Sequence, residues 1–355
     1  MQKLPILLIS IVILASASLA SCTTSQAEPV VTVAAAATVP AFLETTPTPE
    51  EVSFVETAVP APSLPTPIPT DEPALPPTNT PIPENTEIPP ATTAATAVAA
   101  AINGIPVDQI VVLPPAVRQN VQTIFANGQT QGRSAATFSK LGDSTSMNPN
   151  FLGRFDDPAN VNLGPYASLQ PTIDQFSGHF SRYGVATRNG LHSWSVFDPL
   201  WADKNWCQAN EDVLNCEFRL NNPSIIFVRL GSNDAGSPSG YRYNMKQVVQ
   251  TSIANGVIPV LVTKADRFEG PDNINNTILR ELAAEFNVPL LEFDVVAETL
   301  PNRGLIPNDV HMAERIAPHD FDLPDTLQSG HAVHDLIALI MLDELRQEMA
   351  QAANN

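Results

Sequence analysis

The second part of the chain alternates short apolar runs with longer amphipathic ones. Apolar runs at 136–141, 224–230, 257–263 and 289–293 have the length and the bounding residues of strands, and the first two run straight into Gly142 and Gly231. Between them, 243–254 and 275–286 place apolar residues at helical spacing. Asn255-Gly256 and Asn287 supply the stop signals. A last helix is expected over 330–350, with Leu336, Leu339, Ile340, Leu342 and Leu345 turned to the sheet. Alternation of this kind predicts an α/β domain, a three-layer α/β/α sandwich with a central parallel sheet. In such sheets ligands bind beyond the carboxyl ends of the strands, and Ser144 and Asn233 both stand just past such an end.

The start of the chain follows another pattern. A single Lys precedes an apolar run from Leu4 to Leu14, and small residues then lead to Cys22. The run is shorter than the roughly 20 residues that span a bilayer, so 1–21 reads as a secretory signal peptide. Leu19-Ala20-Ser21-Cys22 resembles the bacterial lipobox, which implies a lipidated Cys22 and a protein anchored on the outer face of a bacterial membrane. From 22 to 102 Pro, Thr, Ala and Glu dominate. Such a stretch buries too little apolar surface to offset its ordering entropy and reads as a disordered tether. At about 3 Å per residue it extends on the order of 200 Å. One domain, 103–355, remains, large enough for a full core.

Charge and cysteines narrow the partners. The net charge is −19, and no Lys or Arg occurs between Lys3 and Arg118 while ten acidic residues do, nine of them in the tether. Nucleic acid is excluded as a partner because binding it requires basic patches. The membrane is met through the lipid anchor only. With Cys22 assigned to lipid, Cys207 and Cys216 of this exported chain read as a disulfide. Two free thiols or a metal pair are the alternatives.

The candidate chemistry sits at the strand ends. A Ser hydroxyl needs a base to take its proton and a tight turn to expose it, and Gly142-Asp143-Ser144 supplies Ser and turn together. This tripeptide resembles the first block of the SGNH/GDSL hydrolases, and Gly231-Ser232-Asn233-Asp234 resembles their Gly-x-Asn-Asp block. The likeness extends from about Pro114 to the end, through phrases such as Leu163-Gly164-Pro165-Tyr166 and Val262-Thr263-Lys264-Ala265-Asp266, to an exported branch of that family.

The resemblance implies the flavodoxin-like SGNH fold, a Ser144 nucleophile, and an oxyanion hole that includes the Asn233 amide and the backbone N–H of Gly190, with Gly178 and Gly184 as rivals nearby. It implies no cofactor and no metal. The family's final Asp-x-x-His is missing, and the nearest segment is Asn308-Asp309-Val310-His311. His311 is therefore the expected base, with His331, His334 and His319 as competitors. Asn308, Asp309 or a backbone carbonyl is left to orient the ring, and if Asn308 does so, Asn308→Asp gains turnover. The expected function is a cell-surface serine esterase acting on small acyl esters or O-acylated polysaccharides. Tyr166, Trp194, Trp201 and Trp206 are candidates to face a sugar or an acyl chain. The alternatives are a catalytically impaired SGNH module that binds surface glycans or partners, and a solute-binding lipoprotein.

Overall fold

The computed structural model describes residues 100–313 and 319–354. The signal peptide 1–21, Cys22 and all but the last three residues of the tether 22–102 lie outside the described residues. Among the described residues the central sheet has five strands: β1 (Val111–Val112), β2 (Ser134–Gly142), β3 (Pro223–Arg229), β4 (Ile258–Val262) and β5 (Leu290–Leu291), in the order β1-β5-β4-β3-β2. β2 to β5 run parallel, each hydrogen-bonded to the next. β1 adds an antiparallel edge through Val111↔Leu291 and Val112↔Leu290. The sheet is thus mostly rather than wholly parallel. The extra strand escapes the apolar pattern because two residues are too few to set a period. The last expected strand shrinks to Leu290–Leu291, since Phe293–Ala297 turns into a short helix.

All seven residues of β3 are buried, as a central strand covered on both faces requires. On one face α1 (Pro115–Thr130) packs on α5 (Gly330–Ala353), where Arg118 pairs with Glu344 and Glu348, both at 2.7 Å. On the other, α3 (Pro238–Ala254) packs on α4 (Ile274–Phe286), with Lys246 on Glu285 at 2.5 Å and Arg242 on Glu281. Both expected stops hold. Asn255 ends α3 ahead of Gly256 at φ +66°, and Asn287 ends α4 in the left-handed conformation.

α5 is buried on every side from Gly330 to Asp343, not only along the stripe of leucines. Its far side is covered by the 151–176 segment, where Leu152 N donates to Asp335 (3.0 Å) and the Thr172 hydroxyl to Asp343 (2.6 Å). A helix enclosed this way carries apolar residues all round.

Cys207 and Cys216 form a disulfide, so neither thiol is free and neither can ligate a metal as thiolate. The bridge ties the 198–207 segment to α2 (Val213–Asn221), a helix capped by the Asp212 side chain on Asn215 N at 2.9 Å. Nine positions separate the two cysteines. By loop-closure entropy, the Cys207→Ser/Cys216→Ser variant should lose about 2–3 kcal/mol, read from the midpoint of urea unfolding.

Candidate active site

β2 ends at Gly142 because nothing larger fits there. A Cβ would lie 2.1 Å from the Ser146 hydroxyl and 2.9 Å from the Arg229 carbonyl. Asp143, buried, folds the next turn. Its Oδ1 accepts from Thr145 N (2.9 Å) and the Thr145 hydroxyl (2.6 Å), while its carbonyl accepts from Ser146 N and Met147 N. Ser144 is left half-buried at the tip.

The His311 Nε2 lies 2.9 Å from the Ser144 Oγ, and its Nδ1 lies 2.6 Å from the Asp309 Oδ1. The loop that carries them is a narrow hairpin. Leu305 bridges Met312, Ile306 N donates to His311 O (2.9 Å), and Ala313 N donates to Gly304 O (2.8 Å). Asn308 occupies the left-handed position of its turn, at φ +61°, a conformation Asn tolerates better than most residues. That is what Asn308 contributes. Among the described residues its side chain makes no bond to His311, and the ring is met by Asp309 instead. The spacing is Asp-x-His, one residue shorter than the Asp-x-x-His sought. The same Asp309 oxygen also accepts from Val310 N (2.6 Å) and His311 N (3.2 Å). The His311 ring, then the His311 N–H, and then the Val310 N–H hold the Asp309 carboxyl below its usual range.

The hairpin is seated on the start of α5 by two glycines. A Cβ on Gly330 would fall 1.9 Å from the Gly304 carbonyl, so Gly330→Ala must push the His311 loop outward. Displacing a base by about 1 Å costs on the order of 100-fold. The variant should lose that much kcat on p-nitrophenyl acetate while KM changes little.

The other histidines lie elsewhere. His319 Nε2 lies 3.0 Å from Asp335 Oδ2 inside the core. His331 is buried in the first turn of α5, and His334 lies between the rings of Phe151 (5.0 Å) and Phe293 (4.7 Å). Burial first, with Arg229 and His331 beside it, holds His334 well below the usual imidazole range. His192 stacks on Trp194, and His179 lies 3.4 Å from the Thr137 hydroxyl.

The expected oxyanion donors gather at the same sheet end. The 186–188 segment extends the sheet beside Gly142, with Gly142 N donating to Ala186 O (3.1 Å) and Arg188 N to Gly142 O (3.0 Å). It leads to Gly190 at φ +71°, a conformation that favours glycine. The Asn233 amide donates to Leu191 O (3.1 Å) and reaches Asp143 Oδ2 (3.5 Å), the neighbours of Gly190 and Ser144. Among the described residues, the backbone N–H groups of Ser144 and Gly190 donate to no protein atom.

No family model matches the chain, and no curated protein matches it. Solved structures do resemble it. A protein assigned to the lipolytic G-D-S-L family from Desulfitobacterium hafniense is 14% identical over 58% of this chain and 99% of its own, with a TM-score of 0.38. A psychrotrophic esterase from Pseudoalteromonas sp., inhibited by monoethylphosphonate, is 17% identical over 62% and 99%, with a TM-score of 0.37. A GDSL-like lipase from Bacteroides thetaiotaomicron is 14% identical over 66% and 99%, with a TM-score of 0.33. Likenesses this distant decide neither the fold nor the activity.

Two supports of the site go beyond the motifs. The Asp234 carboxylate takes Ser193 N through both oxygens (3.1 Å each) and the Ser193 hydroxyl (2.7 Å), which locks the Asn233 loop to the Gly190 loop. Burial raises the Asp234 carboxyl above its usual range against these bonds. Behind Ser232, whose hydroxyl donates to Asp266 (2.7 Å), the buried Lys264 pairs with Asp266 (2.8 Å) and Glu269 (2.5 Å). A charged pair directly after an apolar strand was the available signal, in Lys264-Ala265-Asp266. Of the aromatic residues considered for a substrate face, Tyr166 is buried against Phe321 and belongs to the core.

Proposed function

We propose that this chain is a serine ester hydrolase of the SGNH/GDSL type, exported and held by lipid at Cys22 on the outer face of a bacterial membrane. The observation that carries the chemistry is the continuous hydrogen-bond line Ser144 to His311 to Asp309, at 2.9 and 2.6 Å. His311 takes the proton of Ser144 as the hydroxyl attacks the acyl carbon. The carbonyl oxygen turns anionic and is met by the N–H groups of Ser144 and Gly190, donors fixed before the reaction, and by the Asn233 amide hydrogen that otherwise faces Asp143 Oδ2, 3.5 Å from the amide nitrogen. Asp309 holds the imidazole in the tautomer with hydrogen on Nδ1 and steadies the imidazolium that forms. His311 then protonates the leaving alcohol, and water, deprotonated by the same ring, releases the acid from Ser144.

Substrates under this reading are small acyl esters or O-acylated polysaccharides, reached from the membrane by the 22–102 tether. The impaired-module alternative drew on the missing final block. A carboxylate on the ring of His311 removes that motive.

Diethyl p-nitrophenyl phosphate should label wild-type protein once, on the peptide containing Ser144, and should leave Ser144→Ala unlabelled. Absence of both labelling and Ser144-dependent p-nitrophenyl acetate hydrolysis would sink the enzyme reading.

A further inference from the structure

Beside the Ser144 turn lies a cavity of about 620 Å³ that no part of this mechanism uses. Its size falls within the roughly 300–1,000 Å³ of small-ligand sites. Met147, three residues past Ser144, forms one edge, and Arg188 and Asn189, just before Gly190, form another. The outer wall is aromatic, made by Trp201 and Trp206. Trp201 meets Trp194 edge-on at 5.8 Å, and Trp194 stacks on His192 at 5.7 Å, so aromatic rings run from the Gly190 loop into the cavity.

We propose that this cavity is the saccharide subsite of the esterase, holding the sugar ring whose hydroxyl carries the acyl group. The inference rests on the esterase reading and adds the leaving-group class to it. Three observations favour a neutral, hydroxyl-rich ligand. First, Trp206 stands open at 66% exposure beside the half-buried Trp201, and a pyranose ring lays its C–H bonds on such a face.

Second, the walls between the rings hold polar groups that are not used up. Asp198 and Asp203 each spend Oδ1 on a local turn, to Leu200 N (3.0 Å) and to Asn205 N (3.0 Å). Their other oxygens, the Arg188 guanidinium and the Asn189 amide have no partner among the described residues. An acyl chain would have to strip water from these groups without replacing their hydrogen bonds. An anionic ligand would meet two carboxylates against one guanidinium.

Third, the wall is held in place before a ligand arrives. Trp206 precedes Cys207, which is bonded to Cys216 on α2, and Arg219 of that helix donates to the Trp206 carbonyl at 3.0 Å. A fixed wall spares the ligand the cost of ordering it. In the reaction, the bond from the acyl carbon to the sugar oxygen breaks. That oxygen takes the proton His311 drew from Ser144, the acyl group passes to Ser144, and water later carries it off as the acid.

The test uses the full chain, wild type against Trp206→Ala and Trp206→Tyr, with O-acetylated xylotetraose, O-acetylated mannotetraose, p-nitrophenyl acetate and p-nitrophenyl octanoate. Wild type should hydrolyse at least one acetylated tetrasaccharide. In Trp206→Ala the kcat/KM ratio of that saccharide to p-nitrophenyl acetate should fall at least about tenfold through KM, as truncating an aromatic anchor does, and Trp206→Tyr should recover most of it.

An unchanged ratio, no turnover of either saccharide by a protein that cleaves p-nitrophenyl acetate, or a fall in the octanoate-to-acetate ratio instead would overturn the subsite. If p-nitrophenyl acetate is not cleaved at all, the esterase reading has failed and binding decides. Xylotetraose or mannotetraose should then quench tryptophan fluorescence saturably in Ser144→Ala and not in Ser144→Ala/Trp206→Ala. No quench in either protein overturns the subsite.

Discussion

Changing Ser144 to Ala, His311 to Ala, or both should each lower kcat on p-nitrophenyl acetate by about 10⁴- to 10⁶-fold, with the double variant no worse than the poorer single one. The two groups act as one unit. The hydroxyl is a weak nucleophile without a base, and the imidazole 2.9 Å from it has no other proton to take from the protein in the attack. Removing either therefore removes the same step, and what survives is catalysis by the oxyanion donors and by binding alone. KM should shift far less than kcat, because neither side chain builds the cleft walls. Steady-state kinetics on the three variants check this. Losses that multiply, so that the double variant falls well below both singles, would mean that Ser144 and His311 serve different steps.

The parts of the site legible from sequence are those tied to strand ends. Gly142 and Gly231 each close a run of buried residues, and β2 and β3 pair in parallel from Phe138↔Ile225 to Gly142↔Arg229. Register alone then brings Ser144 and Asn233 to one edge, and period and punctuation reveal it. The base is less legible because no periodic element carries it. Its placement depends on the Leu305–Met312 hairpin, on a left-handed Asn308 and on the contact between Gly304 and Gly330, none of which leaves a repeating signature. The two-residue edge strand β1 and the complete burial of α5 escape for a related reason. Both depend on what packs against them, β5 in one case and the 151–176 segment in the other. The cysteine pair was readable, whereas its use in fixing Trp206 at the cavity wall needed the loop in three dimensions.

Asp309 gives the second large effect, and two variants divide its work. Asp309→Ala should lower kcat by about 10³-fold, since it removes both the acceptor that fixes the ring and the negative charge beside it. Asp309→Asn should cost less, roughly 10- to 100-fold. One oxygen, Oδ1, takes the His311 Nδ1, the Val310 N–H and the His311 N–H together. An amide oxygen in the same place keeps all three bonds and the tautomer. What Asn loses is charge, and at 40% exposure of the Asp309 side chain, water already screens part of that charge.

Asn308→Asp, by contrast, should gain nothing, because residue 308 turns the chain at φ +61° and does not meet the ring. The three values of kcat, read with the same ester, assign orientation and charge separately. Should Asp309→Ala stay within a few-fold of wild type, Ser144 and His311 would work as a dyad, and the short Asp-x-His spacing would be a feature of the turn alone.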